Sequence, residues 1–403
     1  MYLTAVLAVL TATSFALTIW RWRAGLYFPL HRRQTPPASL PGITLIKPLK
    51  GCDAATGDCL RSWLRQEYPG PVQVLFGVAD ADDPVCAVVR QLLAESPGAD
   101  ARLLICGQNL GVNPKVSTLR QLEPHIRHDL LMISDADVKV PADFAANVTP
   151  QLSDPAVGLV NCFYRLANPS TTAMQWEAVA MNADFWTQVL QRRSLRPVDF
   201  ALGAVMTLSR ARLSQMGGFA VLSDFLADDY QLGRQIVIQQ KEIAFATLVA
   251  ECWDAPLGWR QVWAHQSRWA QTIRACEPVP FFFSILNNAS LWPLLFAILV
   301  RTPSALGAAA VCLAFRIGSA LQQQSKMNQT RVPLRFWWWP PFKDILDAVI
   351  WGVAFAGTHI IWRGDRYRLL PGGKLSKVEA QLPLQDCGCD EYWSKSGNPP
   401  VGS

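Results

Sequence analysis

The sequence predicts a mostly parallel α/β domain attached to membrane segments, and two observations support this fold class. Strand-like apolar runs alternate with helix-like runs between residues 43 and 164, as in a parallel sheet whose strands are joined by crossover helices. Charged residues make up only 17% of the 403 residues, whereas soluble domains usually carry ~25%. This low charge, with a hydrophobic content of 50%, is typical of a membrane protein that carries a soluble domain.

The first element is an uncharged apolar run, residues 2–20, followed by arginines at positions 21, 23, 32 and 33. Its length just reaches the roughly 20 residues that a transmembrane helix needs. A cleaved signal peptide would carry its positive charges before the apolar region. By the positive-inside rule, we expect the following residues on the cytoplasmic side. The formal net charge is +6, and the arginines cluster beside apolar runs. This placement favours contact with an anionic membrane surface over binding to nucleic acid.

A proline-rich linker at residues 34–42 leads into the alternating region. Strand-like runs are expected at 43–49, 72–80, 102–106, 129–137 and 157–164. Helix-like runs are expected near 57–66, 84–94, 115–127 and 141–151. The strands are nearly continuous apolar runs, as expected where helices cover both faces of a sheet. Ligands of such sheets bind beyond the carboxyl ends of the strands.

The later segments are mixed and then apolar. We expect a strand at 200–210, a helix at 227–240 and a strand at 242–250, followed by three candidate membrane segments at 280–300, 304–321 and 344–362. The loop before the third segment and the tail after it are both basic, so both favour the cytoplasm. One span between them cannot satisfy both, and a re-entrant or interfacial helix would resolve the conflict.

The ten cysteines form no Cys-x-x-Cys pair, which favours free thiols in a reducing compartment over a disulfide framework. Cys387 and Cys389 lack companion ligands, so a metal site there is only a minor alternative.

Acidic residues follow two of the predicted strands. Asp135 and Asp137 are two apart, so in strand geometry both carboxylates project into one small volume. Like charges that close are costly unless a cation lies between them, and Mg²⁺ or Mn²⁺ prefers such oxygen ligands. The alternative is a solvated turn. Asp80, in GVADADDP, could accept hydrogen bonds from a nucleotide base or ribose; its alternative is an acidic turn before a proline-started helix.

Two later motifs also combine charge with helix-like pattern. Asp228 and Asp229 open the predicted helix at 227–240, where simple N-capping is the alternative to a proton-accepting role. The stretch HQSRWAQTIR contains His265, Arg268 and Trp269. Arginine suits bidentate contact with phosphate oxygens. Taken alone, however, the stretch favours an interfacial helix whose arginines extend toward water beside tryptophan.

The order of these motifs resembles the ceramide glucosyltransferase-like family of membrane glycosyltransferases. The matching segments are LPGITLIKPLKG, EYPGPVQVLFGVADADDP, GVNPKVSTL, ISDADVKVP, GGF with LADDYQLG, HQSRWAQTIR and WRGDRYRLLPGG. The resemblance covers residues 40–275 well and the membrane segments more loosely. It implies a cytoplasmic GT-A catalytic domain at 43–278, preceded by an anchor with a basic flank (1–33) and a linker (34–42), and followed by membrane segments (279–370) and a polar tail (371–403).

The resemblance also implies roles for residues, because the family carries three acidic positions followed by a Gln/Arg-x-x-Arg-Trp motif. Asp80 would hold the uridine of a UDP-sugar. Asp135 and Asp137 would hold Mg²⁺ or Mn²⁺ on its diphosphate, supported by Arg268. Asp229 would be the general base, with its pKa raised by Asp228, and Trp269 would shape the acceptor end. Lys115 could add a phosphate contact, although a solvated lysine at a helix start is an equal alternative.

One departure concerns the acceptor, because His265 stands where the family motif has Gln or Arg. HQSRWAQTIR and LADDYQLG are most similar to the hopanoid-biosynthesis branch. The resemblance implies inverting transfer from a UDP-sugar to a hydroxyl of a membrane lipid, hopanoid or ceramide-type, at the cytoplasmic face (the inner membrane if bacterial). The alternatives are a ceramide glucosyltransferase proper, a processive polysaccharide synthase of the same fold, and a non-catalytic membrane scaffold.

Overall fold

A computed structural model describes residues 2–362 and 365–378. Its strands are β1 (Ile43–Leu49), β2 (Val72–Val78), β3 (Asp100–Ile105), β4 (Leu130–Ser134), β5 (Val138–Lys139), β6 (Val157–Leu166), β7 (Val205–Ser209), β8 (Glu242–Cys252), β9 (His359–Trp362), β10 (Asp365–Leu369) and β11 (Leu375–Lys377). Its α-helices are α1 (Tyr2–Tyr27), α2 (Thr56–Leu64), α3 (Val85–Glu95), α4 (Pro114–Leu122), α5 (Phe144–Val148), α6 (Thr172–Val179), α7 (Trp186–Arg193), α8 (Arg210–Gln215), α9 (Asp228–Ile238), α10 (Trp259–Cys276), α11 (Pro278–Phe283), α12 (Leu291–Val300), α13 (Pro303–Asn328) and α14 (Trp339–Val353).

The central sheet has eight strands in the order β3-β2-β1-β4-β7-β6-β8-β5. Strands β1 to β4 pair in parallel, as do β6 and β8. Strand β7 is antiparallel to both β4 and β6, and β5 is antiparallel to β8. The predicted mostly parallel α/β fold is therefore confirmed, with antiparallel pairs confined to β7 and β5.

Both faces of the central strands of this sheet are covered, as the continuous apolar runs predicted, whereas the edge strand β3 is partly exposed. Every residue of β1 is buried, and alternate residues face different hydrophobic clusters. Leu45 and Met132 belong to one cluster, whereas Ile46 and Ile133 belong to the other. Because burial fixes the strand register, the ends of β1 and β4 are held side by side at one edge of the sheet.

Among the described residues, helices α1 and α13 are long and apolar enough to cross a membrane. Residues Pro278–Asn287 and α12 would make a third candidate span if counted together, although they are bent by 54°. The predicted third membrane segment at 344–362 was wrong as a continuous helix. Helix α14 ends at Val353, and His359–Trp362 forms a strand, because the run after Gly357 is rich in β-branched and aromatic residues.

Buried charges join the membrane helices to the α/β domain. Arg316 of α13 is only 1% exposed, and its guanidinium lies 2.9 and 2.7 Å from the two carboxylate oxygens of Asp184. The same guanidinium contacts Asp344 of α14 at 2.9 and 2.7 Å. Lys343 lies 2.8 Å from Asp184, and Arg21 of α1 lies 3.5 Å from it. Each buried charge therefore has an opposite partner.

Candidate active site

Three separate chain segments bring acidic and basic side chains together beyond the end of β4. Lys115, at the start of α4, lies 2.8 Å from an oxygen of Asp135 and 3.1 Å from an oxygen of Asp228. Asp229 follows directly in the first turn of α9. We call the group formed by these four residues and Asp137 the acidic centre. The sequence interpretation of Lys115 as a solvated lysine was wrong, because its side chain is only 9% exposed.

The position of Lys115 follows from the local sequence GVNPK. The Asn113 side chain caps α4 by accepting hydrogen bonds from the backbone N–H groups of Lys115 and Val116, at 2.9 and 3.2 Å. Pro114 occupies the first turn, where its missing N–H group costs no helix hydrogen bond. The helix start is thereby fixed, and the lysine amine is directed at the acidic centre.

Lys47 is a second buried amine at this edge, and the sequence analysis missed it. It is fully buried within β1, where its amine donates to Ser134 Oγ at 3.1 Å and to the backbone carbonyl of Asp135. Burial lowers the pKa of Lys47 to about 8, and the nearby Asp137 and Asp135 oppose that shift. A lysine inside the apolar run ITLIKPL is the signal that could have identified it, because buried lysines need a partner.

Two carboxyl groups of the centre have raised pKa values. Burial, followed by repulsion from Asp135, raises the pKa of Asp137 to about 7. Burial, followed by repulsion from Asp228, also raises the pKa of Asp229 to about 7, while Lys115 opposes the shift. Asp229 can therefore either hold or release a proton near neutral pH.

The carboxylate of Asp229 lies against backbone rather than against another side chain. A Cβ atom built on Gly203 would lie 2.9 Å from Asp229 Oδ2, closer than such contacts normally come. The adjoining Ala204 carbonyl accepts a hydrogen bond from the Asp135 N–H group at 3.4 Å. The segment before β7 thus lies between two acidic residues, and only glycine leaves Asp229 its space.

Asp80 follows the end of β2, at the same edge of the sheet, and is exposed. One of its carboxylate oxygens accepts from the Asp82 N–H group at 3.0 Å, which forms the acidic turn considered as an alternative. Asp83 instead accepts from the Gly51 N–H group at 2.9 Å and so joins the ends of β1 and β2.

Helix α10 carries His265, Arg268 and Trp269. The His265 ring nitrogen Nδ1 lies 2.7 Å from Glu177 Oε1, which also accepts from the Gln266 amide at 2.8 Å. Glu177 is 1% exposed, and its other oxygen has no hydrogen-bond partner among the described residues. Glu177 was not predicted, because it lies 88 residues before His265 in a helix-like stretch without a recognisable motif.

A line of aromatic rings runs from α10 to Tyr164 of β6. The ring of Trp269 lies 4.6 Å from that of His265 and 6.3 Å from Phe185, and Phe185 lies 5.4 Å from Tyr164. Burial raises the pKa of Tyr164, and the charges of Asp229 and other nearby acids add to that shift. Tyr164 is therefore within electrostatic reach of the acidic centre, and the rings form an apolar wall beside it.

The donor atoms of Asp135 and Asp137 suit a divalent cation. The two carboxylates repel each other, as the raised pKa of Asp137 indicates, and Asp135 is 39% exposed and so accessible to a ligand. The described residues contain no group of three or more histidines, cysteines or acids that could hold a metal by themselves. This donor set fits Mg²⁺ or Mn²⁺ that is shared with substrate phosphates. Cys387 and Cys389 lie outside the described residues.

Comparisons with known proteins agree with this geometry. The model of glycosyl transferase family 21 matches residues 2–375. Ceramide glucosyltransferase 1 of Caenorhabditis elegans is 23% identical over 370 residues, which are 88% of this chain and 78% of that protein. The ceramide glucosyltransferase of Candida albicans is 32% identical over 117 residues, 26% of this chain and 22% of its own length.

A solved structure supports the predicted fold. The mannosyltransferase PcManGT from Pyrobaculum calidifontis, in complex with GDP-Man and Mn²⁺, aligns with a TM-score of 0.51 at 22% identity. The alignment covers 86% of this chain and 98% of that one. At this level of identity the likeness concerns the fold, and it is the GT-A-like fold that the sequence motifs implied.

Proposed function

The chain belongs to glycosyl transferase family 21, and we propose that it transfers a sugar from a UDP-sugar to a hydroxyl group of a membrane lipid with inversion at the anomeric carbon. The observation that supports this most directly is the acidic centre, in which Lys115 joins Asp135 and Asp228 with Asp229 beside them. It combines a cation-binding pair of carboxylates with a carboxyl group that can accept a proton near neutral pH.

The donor would lie beyond the ends of β1, β2 and β4. Its uridine would contact Asp80, and its diphosphate would approach Asp135 and Asp137. Mg²⁺ or Mn²⁺ held by these two carboxylates would neutralise the charge that develops on the departing UDP. Lys115 adds positive charge beside Asp135, and Arg268 of α10 would support the diphosphate from the other side.

Asp229 would act as the general base. The acceptor oxygen attacks the anomeric carbon while the bond from that carbon to the phosphate oxygen breaks and UDP leaves. The hydroxyl proton passes to Asp229, whose raised pKa makes it a better proton acceptor than an ordinary aspartate. Attack opposite the leaving group inverts the configuration. Asp228 keeps the pKa of Asp229 high and fixes Lys115 through its 3.1 Å contact.

The acceptor would approach along the aromatic wall. Trp269 and the neighbouring rings provide apolar surface for a lipid, and His265 stands at the far end of that wall. A hopanoid or ceramide-type lipid fits this combination of apolar surface with hydrogen-bonding groups. Such lipids do not leave the bilayer, which explains why the catalytic domain is attached to membrane helices. The arginines in the last part of α1 and just after it favour a site on the cytoplasmic face by the positive-inside rule.

The proposal is tested by incubating the full chain in nanodiscs with UDP-sugars and either ceramide or hopanoid acceptors, followed by lipid mass spectrometry. We expect a product heavier by one sugar, loss of turnover on addition of EDTA, and recovery with Mg²⁺ or Mn²⁺. Asp229→Asn should lower turnover by roughly 10²–10⁴-fold with little effect on donor binding. The control is Asp58→Asn, whose carboxylate is 68% exposed on α2.

Three outcomes would contradict parts of the proposal. Near wild-type turnover of Asp229→Asn would remove Asp229 from the role of base. A long sugar polymer instead of a single addition would identify a processive synthase. Absence of binding to any UDP-sugar in the presence of metal would favour a non-catalytic scaffold.

A further inference from the structure

From the three-stranded sheet β9–β10–β11, we infer a binding surface for anionic lipid headgroups that is coupled to the loop before the proposed catalytic carboxylates of α9. The sheet is antiparallel, and Arg368 of β10 lies between His359 of β9 and Ser376 of β11. These three residues and Arg366 are exposed on one face. The opposite face is buried and consists of Ile360, Tyr367, Leu369 and Leu375. The sheet thus has one apolar face toward the protein and one basic face toward the outside.

Within the described part of the chain, the arginines of the outer face have no acidic partner. Among the described residues, no carboxylate forms an ion pair with Arg366 or Arg368, whereas Lys377 lies 3.2 Å from Asp365 at the sheet's edge. Lys374 is also exposed, and its amine lies 5.8 Å from the Phe225 ring. Arginines grouped on an exposed surface next to a membrane are attracted to anionic lipids. The face therefore has the charge complementary to a bilayer surface rich in phosphatidylglycerol or a similar lipid.

The apolar elements next to the sheet support the same partner. Only residues 354–358 separate the end of α14 from β9, and five residues span at most ~18 Å. Exposed rings lie nearby: Phe282 and Phe283 of α11 are 53% and 57% exposed, and Phe282 lies 6.4 Å from Phe355. Exposed phenylalanine rings of this kind are found on helices that lie in the plane of the membrane interface. Arg274 of α10 connects the two features, because it donates to the Gly357 carbonyl and its guanidinium lies 5.7 Å from the Phe355 ring.

The inner side of the sheet is bonded to the loop that precedes the acidic centre. The Leu226 N–H group donates to the Gly373 carbonyl at 3.1 Å, and the Leu375 N–H group donates to the Asp224 carbonyl at 2.7 Å. Phe225 and Lys374 form a β-bridge between these bonds. Asp228 begins α9 two residues after Leu226. Anionic lipid that holds the sheet in place would therefore also restrain the backbone that positions Asp228 and Asp229.

The binding can be measured without turnover, by hydrogen exchange on the full chain in nanodiscs. One set contains phosphatidylcholine alone, and the other an equimolar mixture with phosphatidylglycerol. We expect amides of residues 224–228 and 365–377 to exchange more slowly in the anionic discs. The double variant Arg366→Gln/Arg368→Gln should remove this protection, by roughly fivefold per arginine at low salt. The exposed arginines of the control variant Arg90→Gln/Arg102→Gln lie on α3 and β3, and this variant should behave as wild type.

A charge-conserving variant separates electrostatics from folding. Arg366→Lys/Arg368→Lys should keep the lipid-dependent protection, and added salt should weaken it. Equal protection in neutral and anionic discs, or equal loss in the control variant, would overturn the inference. Protection that requires an added acidic protein and ignores lipid charge would overturn it as well.

The effect on activity rests on the proposed function. We expect glycosyl transfer by the wild type to rise several-fold with the phosphatidylglycerol fraction, and transfer by the glutamine variant to stay flat. Lipid-dependent protection without any sugar transfer would refute the proposed function and leave the lipid site intact. Sugar transfer that is unaffected by lipid charge would refute the coupling alone.

Discussion

The acid limb of the pH–rate profile is expected to have its midpoint near pH 7, because Asp229 must be ionised to accept a proton. Burial and the neighbouring Asp228 raise the pKa of Asp229 to about 7, compared with ~3.9 for an unperturbed aspartate. Turnover should therefore rise with pH. About one tenth of the enzyme would carry the ionised base one pH unit below the midpoint, and about nine tenths one unit above it.

Asp228→Asn tests whether the midpoint belongs to Asp229. The substitution removes a negative charge beside Asp229 while Lys115 keeps its positive charge and its 2.8 Å contact with Asp135. The ionised form of Asp229 becomes easier to reach, so the midpoint should fall by on the order of one pH unit. The same change should lower the maximal rate, because a base with a lower pKa accepts the proton less readily.

The assay is kcat at saturating donor, acceptor and divalent cation, measured by release of UDP from about pH 5 to about pH 9. At saturating divalent cation, the bound cation would keep Asp137 ionised over this pH range, so the titration of Asp137 would not contribute to the pH–rate profile. Thermal unfolding at each pH serves as the control for loss of the folded enzyme. A wild-type midpoint near the ordinary aspartate value, or a midpoint that is the same in Asp228→Asn, would refute this account of the base.

Three further substitutions test other contacts. Gly203→Ala should lower kcat sharply, because the new methyl group would lie 2.9 Å from Asp229 Oδ2 and displace that carboxylate. The control is Gly57→Ala, whose methyl group would have its nearest neighbour 3.8 Å away and should leave kcat unchanged. Equal kcat values for the two variants would contradict the close approach of Gly203 to Asp229. Glu177→Gln should raise the KM for the lipid more than the KM for the donor, because it weakens the contact between residue 177 and His265 that orients the His265 ring. Equal increases in the two KM values would argue against a role of Glu177 in orienting His265. Arg316→Met should destabilise the protein by about 3–5 kcal/mol in thermal or denaturant unfolding, because Asp344 would lose its buried ion-pair partner and Asp184 would keep only Lys343 and Arg21. Unchanged stability would show that the ion pairs of Arg316 contribute little.

Strand positions could be predicted well because buried strands have a strong local signal. The run ITLIKPL coincides with β1, and the other early strands differ from the prediction by a few residues at their ends. Whether a strand runs parallel or antiparallel to its neighbours was harder to predict from the sequence. Strand β7 is antiparallel to its neighbours, but a strand covered on both faces shows the same apolar run in either direction. The sequence therefore predicts which segments enter the sheet better than how they pair.

The acidic residues of the site could be predicted from their motifs, whereas the groups that hold them could not. Lys47 bonds Ser134, which is 87 residues away, and Glu177 contacts His265 across 88 residues. Neither pair leaves a local pattern. Gly203 is likewise explained only by its distance to Asp229. Positions of this kind become visible only when separate segments are placed in one structure.

The short length of α14 suggests a solution to the topological conflict between the basic loop before it and the basic tail after it. Its 15 residues extend ~22 Å, which is less than the ~30 Å hydrocarbon core. The loop and the tail can then share one side, and the tail is bonded to the loop before α9 at Leu226. The same side receives the ends of both candidate spans, because Lys326 near the end of α13 donates to the carbonyls of Gly25 and Leu26 near the end of α1. If α1 and α13 both end on the side of the α/β domain, the chain must cross the membrane once in the opposite direction between α1 and α13. The bent pair formed by Pro278–Asn287 and α12 would make that crossing.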